Sequence, residues 1–183
     1  MVTYRWVLDE IKGGFFMDYK KAASYWQEKE KESVRMDEIT LWQHMESFIK
    51  GHNTCALSTG CNDFVRCTPI EYEFKDKKFW LFSEGGLKFR GLEGNHNVCL
   101  AIFNSYTGFG QLGGMQVTGT AELVEPWTAE YMDLLAYKMI PPENLKKLHT
   151  ALYLIKITPL RIDYLCSEFK TLGFDPRQYL IFS

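Results

Sequence analysis

The sequence predicts a mainly β protein, an antiparallel barrel with flanking helices. Three observations carry that expectation. The apolar period changes from helical to two residues at Thr54, turn residues then recur at short intervals, and few helical stretches separate the strands that follow. Consecutive parallel strands need a long crossover between them, and this chain offers little room for one.

The first 50 residues read as an N-terminal extension with helices, and residues 51–183 as the barrel domain. Asp18 to Lys50 is helical, with an apolar patch at Ala22, Ala23, Tyr25 and Trp26. Ser33 to Asp37 breaks the pattern, and Asp37 is placed to cap a second helix carrying Leu41, Trp42, Met45, Phe48 and Ile49. Gly51 ends it. The stretch Lys12 to Met17 is encodable by a purine-rich ribosome-binding sequence, a spacer and a start codon. Met17 is therefore the expected natural start in a bacterial host; the competing reading is an extra strand or helix over Thr3 to Ile11.

Strands are expected at Thr54 to Thr59, Phe64 to Phe74, Lys78 to Phe82, Asn97 to Phe103, Met115 to Val124 and Leu152 to Tyr164, six in all. Gly60 to Asp63 and Asp76-Lys77 are the turns of the first two hairpins. Pro69 and Pro159 read as interruptions, since proline donates nothing to a ladder. Leu87 to Leu92 is a short helix, and Ser105 to Gly114 is a loop holding four glycines. Thr128 caps a helix running to about Met139, and Pro141-Pro142 opens another.

Composition narrows the function. The chain has 183 residues, 46% hydrophobic and 15% aromatic, enough for a globular core. A net charge of −2 gives no basic field for nucleic acid or an anionic membrane. No apolar run approaches the roughly 18 residues of a membrane span. Five scattered cysteines without a Cys-x-x-Cys pair fit reduced thiols in a cytoplasmic protein. The four histidines have no metal-ligand spacing, so no metal site is expected.

The most informative stretch is Trp80-Leu-Phe-Ser-Glu-Gly-Gly-Leu-Lys88, read with Val65-Arg66-Cys67-Thr68-Pro69. A strand enters a Gly-rich turn that opens a helix, where unpaired N–H groups favour an anion. Gly85 and Gly86 admit close approach, Lys88 reaches the same point, and Arg66 offers a fork suited to phosphate oxygens. Each has a second reading. Arg66 pairs instead with Glu71 or Glu73, Lys88 is a solvated helix lysine, Ser83 only caps, and Phe82 is barrel core.

The run from Asn53 to Leu123 resembles the FMN-binding split barrels related to pyridoxamine 5′-phosphate oxidase. The matching pieces are Val65 to Tyr72, Phe79 to Lys88, Asn97 to Phe103 and Gln116 to Leu123, with Leu154 to Tyr164 resembling the last barrel strand. The resemblance implies a six-stranded split barrel and a homodimer with two FMN sites at its interface. It assigns Arg66 and Lys88 to the phosphate, with Ser83 in support, although the turn is about one residue short. It lays the backbone of Cys67, Thr68, Pro69, Ile70 and Glu71 along the flavin ring, and it makes Gln116 a polar contact to the flavin, with an exposed strand residue as the alternative. Gly108 to Gly114 is a lid or a plain surface hairpin.

The resemblance stops short of the oxidase itself. The tail Asp175 to Ser183 has Arg177 without the histidine of the family's substrate-phosphate motif, and Glu71 stands where a substrate-binding lysine is expected. The expectation is an FMN-dependent reductase of an uncharged or cationic small molecule, drawing on a donor such as NAD(P)H. The alternatives are a non-catalytic flavin binder or sensor, and a split barrel that holds heme or a deazaflavin.

Overall fold

The computed structural model describes residues 18–149 and 152–182. The expected start at Met17 and the segment Thr3 to Ile11 lie outside the described residues. The chain divides into two units, residues 1–34 and 35–183. In the first, helix α1 (Tyr19–Glu30) is capped by Asp18, whose carboxylate accepts from the Lys21 N–H at 3.0 Å.

The second unit begins with helix α2 (Glu38–Lys50). Asp37 caps it as expected, accepting from Thr40 N–H at 2.9 Å, and Gly51 closes it. Leu41, Met45 and Ile49, spaced by four, are fully buried in the barrel core. This helix, placed by sequence in the N-terminal segment, is therefore part of the barrel unit.

Eight strands follow: β1 (Thr54–Cys61), β2 (Phe64–Glu71), β3 (Glu73–Lys75), β4 (Lys78–Ser83), β5 (Asn97–Phe103), β6 (Gly113–Val124), β7 (Tyr153–Cys166) and β8 (Arg177–Ile181). They form one antiparallel sheet in the order β2-β1-β5-β6-β7-β4-β3, with β8 also on β7. β4 borders the Tyr153–Ile157 half of β7 and β8 the Arg161–Leu165 half.

Two expected elements change. The strand Phe64 to Phe74 is two strands, because Tyr72 turns inward between them; it is 3% exposed and its hydroxyl donates to the Ile49 carbonyl at 2.6 Å. That bend carries the chain from one end of the sheet order to the other, so the curled sheet is joined to itself at Tyr72. The tail, read only as apolar, supplies β8. These two changes account for eight strands where six were expected.

Pro159 does not break β7. It pairs with Gly119, and the register slips by one residue beside it, since Thr118 faces Arg161. Leu160 is the extra residue of this bulge, and its carbonyl accepts from Phe182 N–H at 2.9 Å. Gly113 and Gly114, expected in the loop, belong to β6; the loop itself carries a 3-10 turn at Phe109–Gln111.

The sheet encloses a core in which Leu57, Phe79, Leu81, Leu100, Val117 and Ile162 are fully buried. Helix α3 (Lys88–Gly94) follows β4. It sits directly on β1: a Cβ at Gly91 would lie 2.7 Å from Thr59 Oγ1 and 2.9 Å from Gly60 N. A second, smaller core joins Trp80, Val124 and Leu154 to Tyr131, Leu134 and Leu135 of helix α4 (Ala129–Tyr137), which is capped by Thr128; helix α5 (Pro142–Lys146) follows.

Candidate functional site

Cross-strand partners share a face of a sheet, so the register sorts the candidate residues. The row Thr68, Leu57, Leu100, Val117, Ile162 and Leu180 lies on the core face, as its buried members show. Arg66, Thr68 and Ile70 alternate onto that face, while Cys67, Pro69 and Glu71 point outward. A second row runs Pro69, Ala56, Ala101, Gln116, Asp163 and Tyr179 across the outer face. Gln116 is thus on the same face as Pro69 but three strands away, about 14 Å at ordinary strand spacing.

The anion site is assembled where β2, β4 and α3 meet. Gly85 (φ 135°) and Gly86 (φ 106°) adopt backbone open to glycine, which lets the chain leave β4 and start α3 at once. Ser83 Oγ donates to the Gly85 carbonyl and accepts the Gly85 N–H, both at 3.1 Å, so it organises the turn. Lys88 is only 7% exposed and its Nζ donates to the Gly85 carbonyl. A Cβ at Gly86 would stand 3.5 Å from that Nζ.

Burial, and then the Arg66 guanidinium, hold the Lys88 ammonium below the usual lysine range. The two cations predicted to share an anion therefore feel one another in the fold. Neither makes an ion pair with a described residue. The competing reading of Arg66 is closed by α4: Glu71 and Glu73 both pair with Lys138, at 3.1 and 2.6 Å. Lys88 is not a solvated helix lysine either.

Thr59 pairs with Arg66 across the hairpin and was missed in the sequence. It is 3% exposed and its Oγ1 has no hydrogen-bond partner among the described residues. Its alternation marked it as buried, but nothing in the sequence placed it under Gly91. Lys138 was missed as well, because the contact from α4 to the β2–β3 junction spans more than sixty residues.

Phe82 is placed differently from expectation. Its ring packs edge-on against Tyr131, with centroids 5.7 Å apart, and belongs to the second core. Adjacent strand residues face opposite ways, so with Ser83 at the turn the Phe82 side chain is directed to α4.

Two surface concavities, of about 430 and 560 Å³, lie beside Trp127 and Tyr131 and between α3 and the Ala121–Leu123 end of β6. Neither includes Arg66 or Lys88. Among the described residues no group of three or more His, Cys, Asp and Glu is placed to hold a metal ion, and no helix is long and apolar enough to cross a membrane.

The family model described as pyridoxamine 5′-phosphate oxidase matches residues 41–166, more than half of the chain. Solved structures share the fold. A FAD-binding protein from Mesorhizobium loti is 12% identical, with 66% of this chain and 88% of that one covered and a TM-score of 0.54. A heme storage protein from Vibrio cholerae is 15% identical, with coverages of 64% and 88% and a TM-score of 0.54. General stress protein 26 from Bacillus anthracis is 22% identical, with coverages of 78% and 98% and a TM-score of 0.54. No curated protein sequence matches the chain.

Proposed function

Because the chain belongs to the pyridoxamine 5′-phosphate oxidase family, we propose that it holds the phosphate of FMN between Arg66 and Lys88 and works as an FMN-dependent oxidoreductase. The observation that carries this reading is the burial of Lys88 beside Arg66 with no carboxylate paired to either. Two like charges brought together without a counter-charge are destabilising, and a phosphate dianion removes the penalty. The Gly85-Gly86 turn keeps side-chain atoms out of the approach, and Ser83 fixes the turn.

The bound flavin supplies the redox chemistry. The chain binds, orients and excludes. β2 offers its free edge to the ring, and Pro69 gives up a donor there, as befits a strand edge met by a ligand. Gln116 reaches a flavin only from a second copy, because three strands separate it from Pro69 in its own chain. The outer row supports that arrangement: Ala56, Ala101, Ser58 and Cys99 are small enough for another sheet to approach. The active unit in this reading is a homodimer.

Substrate choice follows from Glu71. Lys138 neutralises one of the two carboxylates it touches, so the Glu71–Glu73 pair keeps a net negative charge. A phosphorylated substrate is disfavoured there, and an uncharged or cationic small molecule is accepted, reduced at the expense of a donor such as NAD(P)H.

The visible spectrum of the purified protein, followed by acid release of the chromophore, tests the reading. Flavin bands and released FMN are expected; a Soret band, from the heme that the Vibrio cholerae relative stores, rejects it. Arg66→Ala with Lys88→Ala should weaken FMN at least a hundredfold, on the order of 3 kcal/mol. Unchanged affinity overturns the phosphate assignment. NAD(P)H oxidation with quinone or nitro acceptors tests catalysis, and no turnover leaves a flavin binder.

A further inference from the structure

β2 and α3 make a second contact beside the first. Phe64 begins β2 and alternates onto the same face as Arg66. The Arg90 guanidinium of α3 lies over the Phe64 ring, 4.6 Å from its centroid. Phe64 is half-buried, whereas Arg90 is exposed, so the outer face of the guanidinium is open. Arg66, Lys88 and Arg90 make no ion pair with a described residue. Three cations therefore line the β2–α3 junction with an aromatic ring among them.

We propose that Phe64 and Arg90 form the seat of the adenosine monophosphate half of FAD, so that the preferred cofactor is the dinucleotide. This rests on the phosphate reading above. In that reading the flavin ring extends from Arg66 toward Glu71, and whatever is bonded to the far side of the phosphate extends the other way, toward Phe64. Two residues of strand separate Arg66 from Phe64, about 7 Å. That distance suits a second phosphate and a ribose leading to a base. A purine stacks on a guanidinium plane, and the same guanidinium donates to the adjoining phosphate. FMN alone has no atoms to place at Phe64.

The structural alternative is that Arg90 only ties α3 to the hairpin. Titration of flavin-free protein with FMN and with FAD separates the two. FAD is expected to bind at least tenfold more tightly than FMN. Arg90→Ala, at an exposed position, and Phe64→Leu, which keeps apolar volume without a ring, should each reduce that advantage below threefold and leave FMN affinity within twofold. Circular dichroism of both variants reports their folding, and one folded variant suffices. Equal affinity for the two flavins overturns the proposal and leaves the phosphate site intact. Loss of FMN and FAD in equal measure in the variants also overturns it. Binding of neither flavin by the unaltered protein sinks the phosphate reading along with it.

Discussion

Lys88 joins the chemistry of the site to the stability of the fold. Burial lowers its proton affinity, so between that lowered pKa and the ordinary lysine value near 10.4 the folded chain binds fewer protons than the unfolded one. Stability of the flavin-free protein should therefore rise with pH across that window. Lys88→Met should flatten the rise and stabilise the flavin-free protein at neutral pH while abolishing flavin binding; urea unfolding at several pH values checks it. Gly91 is the other decisive residue. Alanine there meets Thr59 and Gly60 under 3.0 Å, and backbone cannot step aside cheaply. Gly91→Ala should cost about 1–3 kcal/mol in denaturant unfolding, with α3 displaced from β1.

At the scale of elements, the bend at Tyr72 decides where β2 ends and β3 begins. Its hydroxyl satisfies the Ile49 carbonyl near the end of α2, and burial pushes the phenol well above its usual range. Tyr72→Phe leaves that carbonyl unpaired in the core and should cost about 1–2 kcal/mol, read from thermal or urea unfolding. The bend was invisible in the sequence because Tyr72 suits a strand as well as a corner. Pro159 was misread for a related reason. A proline marks a place where the ladder lacks a donor, and the sequence does not say whether the strand stops or bulges. β8 lacks a turn signal of its own, since Ser167–Leu172 winds as 3-10 helix before it. The anion turn was legible, because paired glycines before a lysine at a strand end admit few conformations. Which face each strand residue takes needed the register, and with it came the separation of Gln116 from Arg66.

For the whole molecule, the outer row from Pro69 to Tyr179 is the surface with the most to test. Ala101 sits near its middle, between Ala56 and Gln116. Ala101→Arg should leave the fold intact by circular dichroism, convert a dimer to a monomer by light scattering, and release the flavin. A monomeric unaltered protein with bound flavin would remove the second copy from the site.

The placement of β7 has a consequence for how the protein is made. β4 is complete by residue 83, but the strand that lies beside it over Phe79 to Ser83 begins only at Tyr153. β6 waits for the same partner. Throughout that stretch of synthesis the nascent chain carries Trp80, Leu81 and Phe82 on an unpaired strand, the kind of edge that invites association with other chains. The barrel is a late event on the ribosome, paced by the arrival of its seventh strand.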